Sequence, residues 1–168
     1  MLGLPKGQVF LMPWTEEWEK QFLMEKERIL DRLNEKVLIH HIGSTSIKNL
    51  SAKPIIDIAI EIEHYEDGVK FISPLEQLGY TFIEDVLPER YYFNKGEPRT
   101  HQIHMFQKGN NYLKEHLAFR DYLRTNAKAR IEYEELKVKL SQLNSNDKFK
   151  YTENKTDFVR SILDKINL

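Results

Sequence analysis

His41-Ile42-Gly43-Ser44-Thr45-Ser46, followed six residues later by Lys53-Pro54-Ile55-Ile56-Asp57-Ile58-Ala59-Ile60-Glu61-Ile62, is the stretch from which the fold is read. Residues 54–62 alternate, placing Ile56, Ile58, Ile60 and Ile62 on one face and Ile55, Asp57, Ala59 and Glu61 on the other. This predicts a strand whose β-branched face packs against helices. The face with two carboxylates is expected to meet water or a site. Val37 to Ile42 reads as a shorter strand that runs into Gly43-Ser44. Glycine lets a backbone approach a ligand closely, and amides at a helical turn, with a serine hydroxyl, donate to phosphate oxygens. An aspartate on the adjacent strand is suited to a divalent cation that bridges those phosphates.

Outward from this centre, Thr15 is the expected N-cap of a first helix, with Glu16 and Glu17 in its first turn. Trp18, Phe22, Ile29, Leu30 and Leu33 recur at helical spacing, which ends the helix near Asn34. Asp67 to Leu78 reads as a second helix stopped by Gly79. Strands are expected at Tyr80–Ile83, Arg90–Asn94 and Thr100–Gln107, the last two joined by the turn residues Asn94-Lys95-Gly96-Glu97-Pro98. Helices follow at about 112–126, 127–143 and 152–166, the last after the polar break Asn144-Ser145-Asn146-Asp147. Strands early and helices late predict an α+β fold with a mixed sheet, helices on one face and a helical C-terminal segment bordering a cleft.

The 168 residues suffice for one domain, expected to cover 1–168. With no cysteine, thiolate metal sites, disulfides and cysteine nucleophiles are excluded. The opening MLGLPKGQVFLMPW lacks the apolar run of a signal peptide, and nothing approaches a membrane span, so the expected location is the cytoplasm. Net charge is −5 over residues 1–84 and +4 over 85–168, too mild for a duplex nucleic-acid partner. A small anionic ligand needs only a few placed cations.

His41 to Ser46 with Lys53 to Ile58 closely resembles the signature of the GrpB family. The resemblance continues through Pro88 to Phe93, Arg99 to His104, Leu117 to Arg124, Tyr133 to Lys137 and Tyr151 to Lys155. It implies a divergent relative of the DNA polymerase β-like nucleotidyltransferases, and GrpB-like domains attached to dephospho-CoA kinase point toward nucleotide or coenzyme chemistry. Sites of that superfamily use carboxylates two residues apart on one strand and a third acid from a later strand, holding two metal ions. This sequence departs from that pattern. Asp57 is followed at that spacing by Ala59, and Glu61 lies roughly 13 Å further along the strand. On the later strand Gln102, His104 and Phe106 share a face, so His104 stands where the third acid is expected.

The candidate catalytic residues are therefore Asp57 and His104, which are also the candidate ligands for a divalent metal, Mg²⁺ or Mn²⁺. An imidazole shifts such a site toward borderline ions. Gly43, Ser44 and Thr45 are expected to hold a phosphate tail, with Lys53, Arg90 and Arg99 supplying positive charge. His41 is expected to orient the loop, and Arg120 or Arg124 to reach the cleft. Three readings follow: transfer of a nucleotidyl group from a nucleoside triphosphate to a small acceptor, a non-catalytic module binding a nucleotide, coenzyme or phosphate ester, and a phosphoester hydrolase using His104.

Overall fold

A computed structural model describes residues 1–84, 87–143 and 148–166, with residues 148–150 and 154 described by their backbone alone. The expected break at Asn144–Asp147 lies outside the described residues. Helix α1 (Glu16–Leu33) starts where Thr15 accepts a hydrogen bond from the Glu17 amide, and it ends where Asn34 turns left-handed at φ 50°. Strand β1 (Leu38–Ile42) leads through Gly43 into a single 3₁₀ turn (Ser44–Ser46), and β2 (Ile56–Ile62) follows. A 3₁₀ turn at Tyr65–Gly68 precedes α2 (Val69–Gln77), which therefore begins two residues later than the periodicity suggested. Strands β3 (Tyr80–Ile83), β4 (Arg90–Lys95) and β5 (His101–Gln107) complete the sheet. Helices α3 (Asn111–Thr125), α4 (Ala127–Leu143) and α5 (Lys148–Lys165) close the chain. The last of these starts four residues earlier than expected.

The sheet has the order β1-β2-β5-β4-β3 and is mixed, as expected for an α+β fold. Only the β2–β5 pair is parallel, and its register places Asp57 beside Gln102 and Ala59 beside His104. β1 runs antiparallel to β2, with Ile42 opposite Asp57. β4 and β5 form a hairpin that puts Tyr92 opposite His104.

The period of two in β2 decides which face is covered. Ile56, Ile58, Ile60 and Ile62 pack with Ile103, Met105 and Phe93 under Trp18, Phe22, Ile29 and Leu33 of α1 and Phe71 and Leu75 of α2. Burying each such side chain contributes about 1.5–3 kcal/mol before the entropy of ordering is subtracted. The opposite face is closed only in part. Leu113 of α3 meets Ile42, Ala59 and Phe106 there. Beyond that contact, α3, α4 and α5 pack on the Ile47–Leu50 segment through Leu123, Ala129, Tyr133 and Ile162. Between this helical block and the sheet a cleft of about 560 Å³ remains open.

Candidate functional site

The backbone at Gly43 puts the loop against Asp57. Its φ of 72° with ψ of −178° belongs to a region that only glycine adopts readily. A Cβ there would lie 2.7 Å from Asp57 Oδ2 and 3.2 Å from Asp57 Cβ. Loop and carboxylate are thus in van der Waals contact.

The Asp57 carboxylate is 26% exposed and is addressed by two donors. Gln102 Nε2 donates to Oδ1 at 2.8 Å, and His104 Nε2 lies 3.4 Å from the same oxygen. The orientation of each donor is fixed from behind. Gln102 Oε1 accepts from the Tyr92 hydroxyl and from Arg99 Nη1, which turns its amide NH₂ toward Asp57. Arg90 Nη1 sits 3.2 Å from His104 Nδ1, and since arginine only donates, Nδ1 accepts and Nε2 carries the hydrogen toward Asp57. The Arg90 guanidinium also stacks on the Tyr92 ring, 4.8 Å from its centroid. Burial pushes the Asp57 pKa up. The hydrogen bond and electrostatics of His104, with Lys53 and His116, outweigh this and leave it below the ordinary carboxylate value.

His41 shapes the loop as the sequence led us to expect. Its ring stacks on Phe22 at 4.6 Å, and its Nε2 meets Thr45 Oγ1 at 2.9 Å. Thr45 Oγ1 donates to the Ile55 carbonyl, so it accepts from His41. Burial, aided by Arg124 and Arg120 and opposed by Asp57, depresses the His41 pKa to about 3. The Thr45 hydroxyl is therefore spent inside the fold. The Ser44 hydroxyl is not: it stands on the cleft wall and engages no described residue. Arg120 lines the cleft and donates to the His41 carbonyl at 3.1 Å, whereas Arg124 grips the Ser46 carbonyl with two nitrogens.

Of the residues singled out from sequence, Gly43, Ser44, Thr45, Lys53, Asp57, Arg90 and His104 all line this cleft. Arg99 does not, and touches the site only through Gln102. Glu61 bonds His40 at 3.2 Å, away from Asp57. Cleft residues that were not singled out include His116 on α3, Lys137 and Tyr133 on α4, and Tyr151 on α5. The ring of His116 stands 6.2 Å from that of His104, and burial, with His104 alongside, pushes its pKa down to about 4. Its sequence signal was its place among Leu113, Arg120 and Leu123, at helical spacing on the inward side of α3. The cleft's cations, Lys53, Arg90, Arg120, Lys137 and Lys155, outnumber its carboxylates, Asp57 and Glu115.

Known proteins resemble this chain in fold and in sequence. The poly(U) polymerase Cid1, in a MgGTP-bound crystal structure, superposes with a TM-score of 0.55 at 14% identity, over 79% of this chain and 44% of that one. At that identity the likeness shows the nucleotidyltransferase-like fold and nothing more. The crystal structure of the conserved protein GrpB from Enterococcus faecalis matches with a TM-score of 0.86 at 35% identity, over 93% of this chain and 96% of that one. The UPF0157 protein YqkA of Bacillus subtilis is 38% identical over 160 residues, 94% of this chain but 47% of YqkA, so the chain spans about half of that relative. The glutamate-rich protein GrpB of Alkalihalophilus pseudofirmus is 36% identical over 99% of this chain and its own full length. The GrpB protein family profile matches residues 8–165, and the chain belongs to the GrpB family.

Proposed function

We propose that the cleft binds a nucleotide or a related phosphate ester, and that it does so without two-metal nucleotidyl transfer. The observation that carries this reading is the surroundings of Ala59. Two-metal chemistry takes a second carboxylate there, two residues after Asp57. Ala59 is fully buried in an apolar cluster with Ile42, Phe106 and Leu113. The space for that second acid is filled by the core, so the loss is built into the packing of α3 on the sheet.

The remaining donor set also argues against a metal pair. Asp57 Oδ1 already receives Gln102 and His104, and the His104 nitrogen facing it carries a hydrogen, which a metal would have to displace. Among the described residues no three His, Asp or Glu side chains converge to hold a metal ion. Residues that do not fit two metals do suit a ligand. Cations on the cleft walls attract a phosphate, and the Asp57 oxygens accept hydrogen bonds from hydroxyl or amino groups.

A thermal-shift screen of ATP, GTP, CTP, UTP and coenzyme A in EDTA tests the reading. Stabilisation by several degrees from at least one ligand is expected, since saturation at a hundredfold excess over Kd adds about 2.7 kcal/mol. Stabilisation that appears only with Mg²⁺ or Mn²⁺ would overturn the metal-independent mode. No shift with any ligand, with or without metal, would overturn nucleotide binding itself.

A further inference from the structure

His116 lines the cleft without a hydrogen bond to any described residue. It shares a face of α3 with Leu113, which meets Ala59, and with Arg120, which donates to the His41 carbonyl. These two contacts fix α3 against the sheet on either side of His116. Its ring is exposed in the cleft and stands beside that of His104 at 6.2 Å. The His116 pKa lies below the ordinary 6.5, so at neutral pH one ring nitrogen donates and the other accepts. No partner fixes its tautomer, in contrast to His104, whose Nδ1 faces Arg90.

Asp57 is only half engaged. Its Oδ1 receives Gln102 and His104, while Oδ2 accepts from no described residue. Asp57 and His116 are close enough for each to shift the other's pKa. The Ser44 hydroxyl is likewise unengaged on the cleft wall. None of these three side chains is buried, so a ligand in the cleft can touch them all.

Their chemistry narrows what they can hold. Asp57 only accepts, so the group against it must donate a hydrogen, which a phosphate anion cannot do. An ammonium group would donate, but Arg90 and Lys155 both bear on His116 and would repel it. A neutral hydroxyl donates and accepts at once. Two hydroxyls on adjacent carbons can serve Asp57 and His116 together, with either tautomer of the imidazole. The ribose of a nucleotide carries such a pair.

We propose that Asp57 and His116 together hold the 2′,3′-diol of a ribonucleotide, with His116 the residue that distinguishes ribose from deoxyribose. This rests on the cleft being a nucleotide site, and it turns that reading into a choice of sugar. Cations elsewhere on the wall are left to the phosphate.

The test is calorimetric titration of ATP, GTP, CTP, UTP, their 2′-deoxy counterparts and coenzyme A, in EDTA, into the full chain, His116→Phe and His116→Asn. Phenylalanine keeps a ring beside His104 and removes both nitrogens, whereas asparagine restores a donor and an acceptor. Wild type binds at least one ribonucleotide about tenfold or more tighter than its 2′-deoxy form, the loss of one hydrogen bond to these groups. In His116→Phe that ratio falls to within about threefold, and His116→Asn recovers part of it. A ratio near one in wild type, or one that His116→Phe leaves intact, overturns the proposal while nucleotide binding stands. Binding of coenzyme A alone, whose ribose carries a 3′-phosphate in place of the free diol, overturns it likewise. If wild type binds none of these compounds, the nucleotide reading itself fails and the diol site fails with it.

Discussion

Gly43 and Asp57 are held in contact across the turn between β1 and β2, so that a methyl group at residue 43 would overlap the Asp57 carboxylate at 2.7 Å. The contact joins a backbone conformation that other residues adopt only under strain with the acid on β2. Gly43→Ala must leave its φ of 72° or push Asp57 off Gln102. It is expected to cost about 1–3 kcal/mol, read as a fall in the denaturation midpoint, with a loss of nucleotide binding larger than that fall explains.

Ala59→Asp separates a vacated metal site from a filled one. The new carboxylate enters the cluster of Ile42, Phe106 and Leu113 instead of the cleft. Destabilisation of several kcal/mol is expected at neutral pH, with no gain in Mg²⁺ affinity by calorimetry. A stable variant with tighter Mg²⁺ binding would mean that the second acid was merely lost and its space kept.

Three histidines make the fold acid-sensitive. His41, His101 and His116 have pKa values depressed from 6.5 to about 3, about 4 and about 4, in each case chiefly by burial. The unfolded chain binds protons at these positions that the folded chain refuses. Stability from keeping them neutral is therefore complete above pH 6.5 and is lost as pH falls toward 4. Chemical denaturation between pH 7 and pH 4 should show this decline, and His41→Gln should make it shallower. A stability unchanged down to pH 4.5 would contradict the burial of these rings.

Glu25 carries a separate expectation. It is 2% exposed on α1 and accepts the Tyr80 hydroxyl at 2.8 Å and Lys95 Nζ at 2.6 Å. Burial raises its pKa, but Lys95 and Tyr80 overcome this and keep it lowered. Glu25→Ala should cost about 3–5 kcal/mol by stranding Lys95 and Tyr80, and Glu25→Leu with Lys95→Met should recover much of that loss. Equilibrium unfolding of the single and double variants measures both.

Much of this structure was legible from local pattern. Alternation in β2 identified the covered face, Thr15 and Asn34 marked the ends of α1, and Gly43-Ser44 marked the loop, because each depends on neighbours along the chain. What was not legible depends on packing between distant segments. Ala59 shares its face with Asp57, so periodicity alone put it at the site, and only Leu113 of α3 shows that the core reaches it. The start of α2 shifted because the chain makes a 3₁₀ turn over Tyr65–Gly68 first. Lys137 follows Ala129 and Tyr133 and precedes Leu140 at spacings of four, four and three, which places it on the buried stripe of α4. A lysine in that register was the available sign of the helical half of the cleft. Tyr151 stood in a block of the family resemblance, but nothing in the sequence marks its hydroxyl as buried without a partner.

The measurement that tests the central claim most directly is calorimetry of the nucleotide that stabilises wild type most, titrated once in EDTA and once in Mg²⁺. The account predicts dissociation constants within about threefold of each other, because it has cations of the cleft wall hold the phosphate with no metal on Asp57. An affinity that rises tenfold or more with Mg²⁺ in wild type, and loses that rise in Asp57→Asn, would contradict it and return Asp57 to the role of metal ligand.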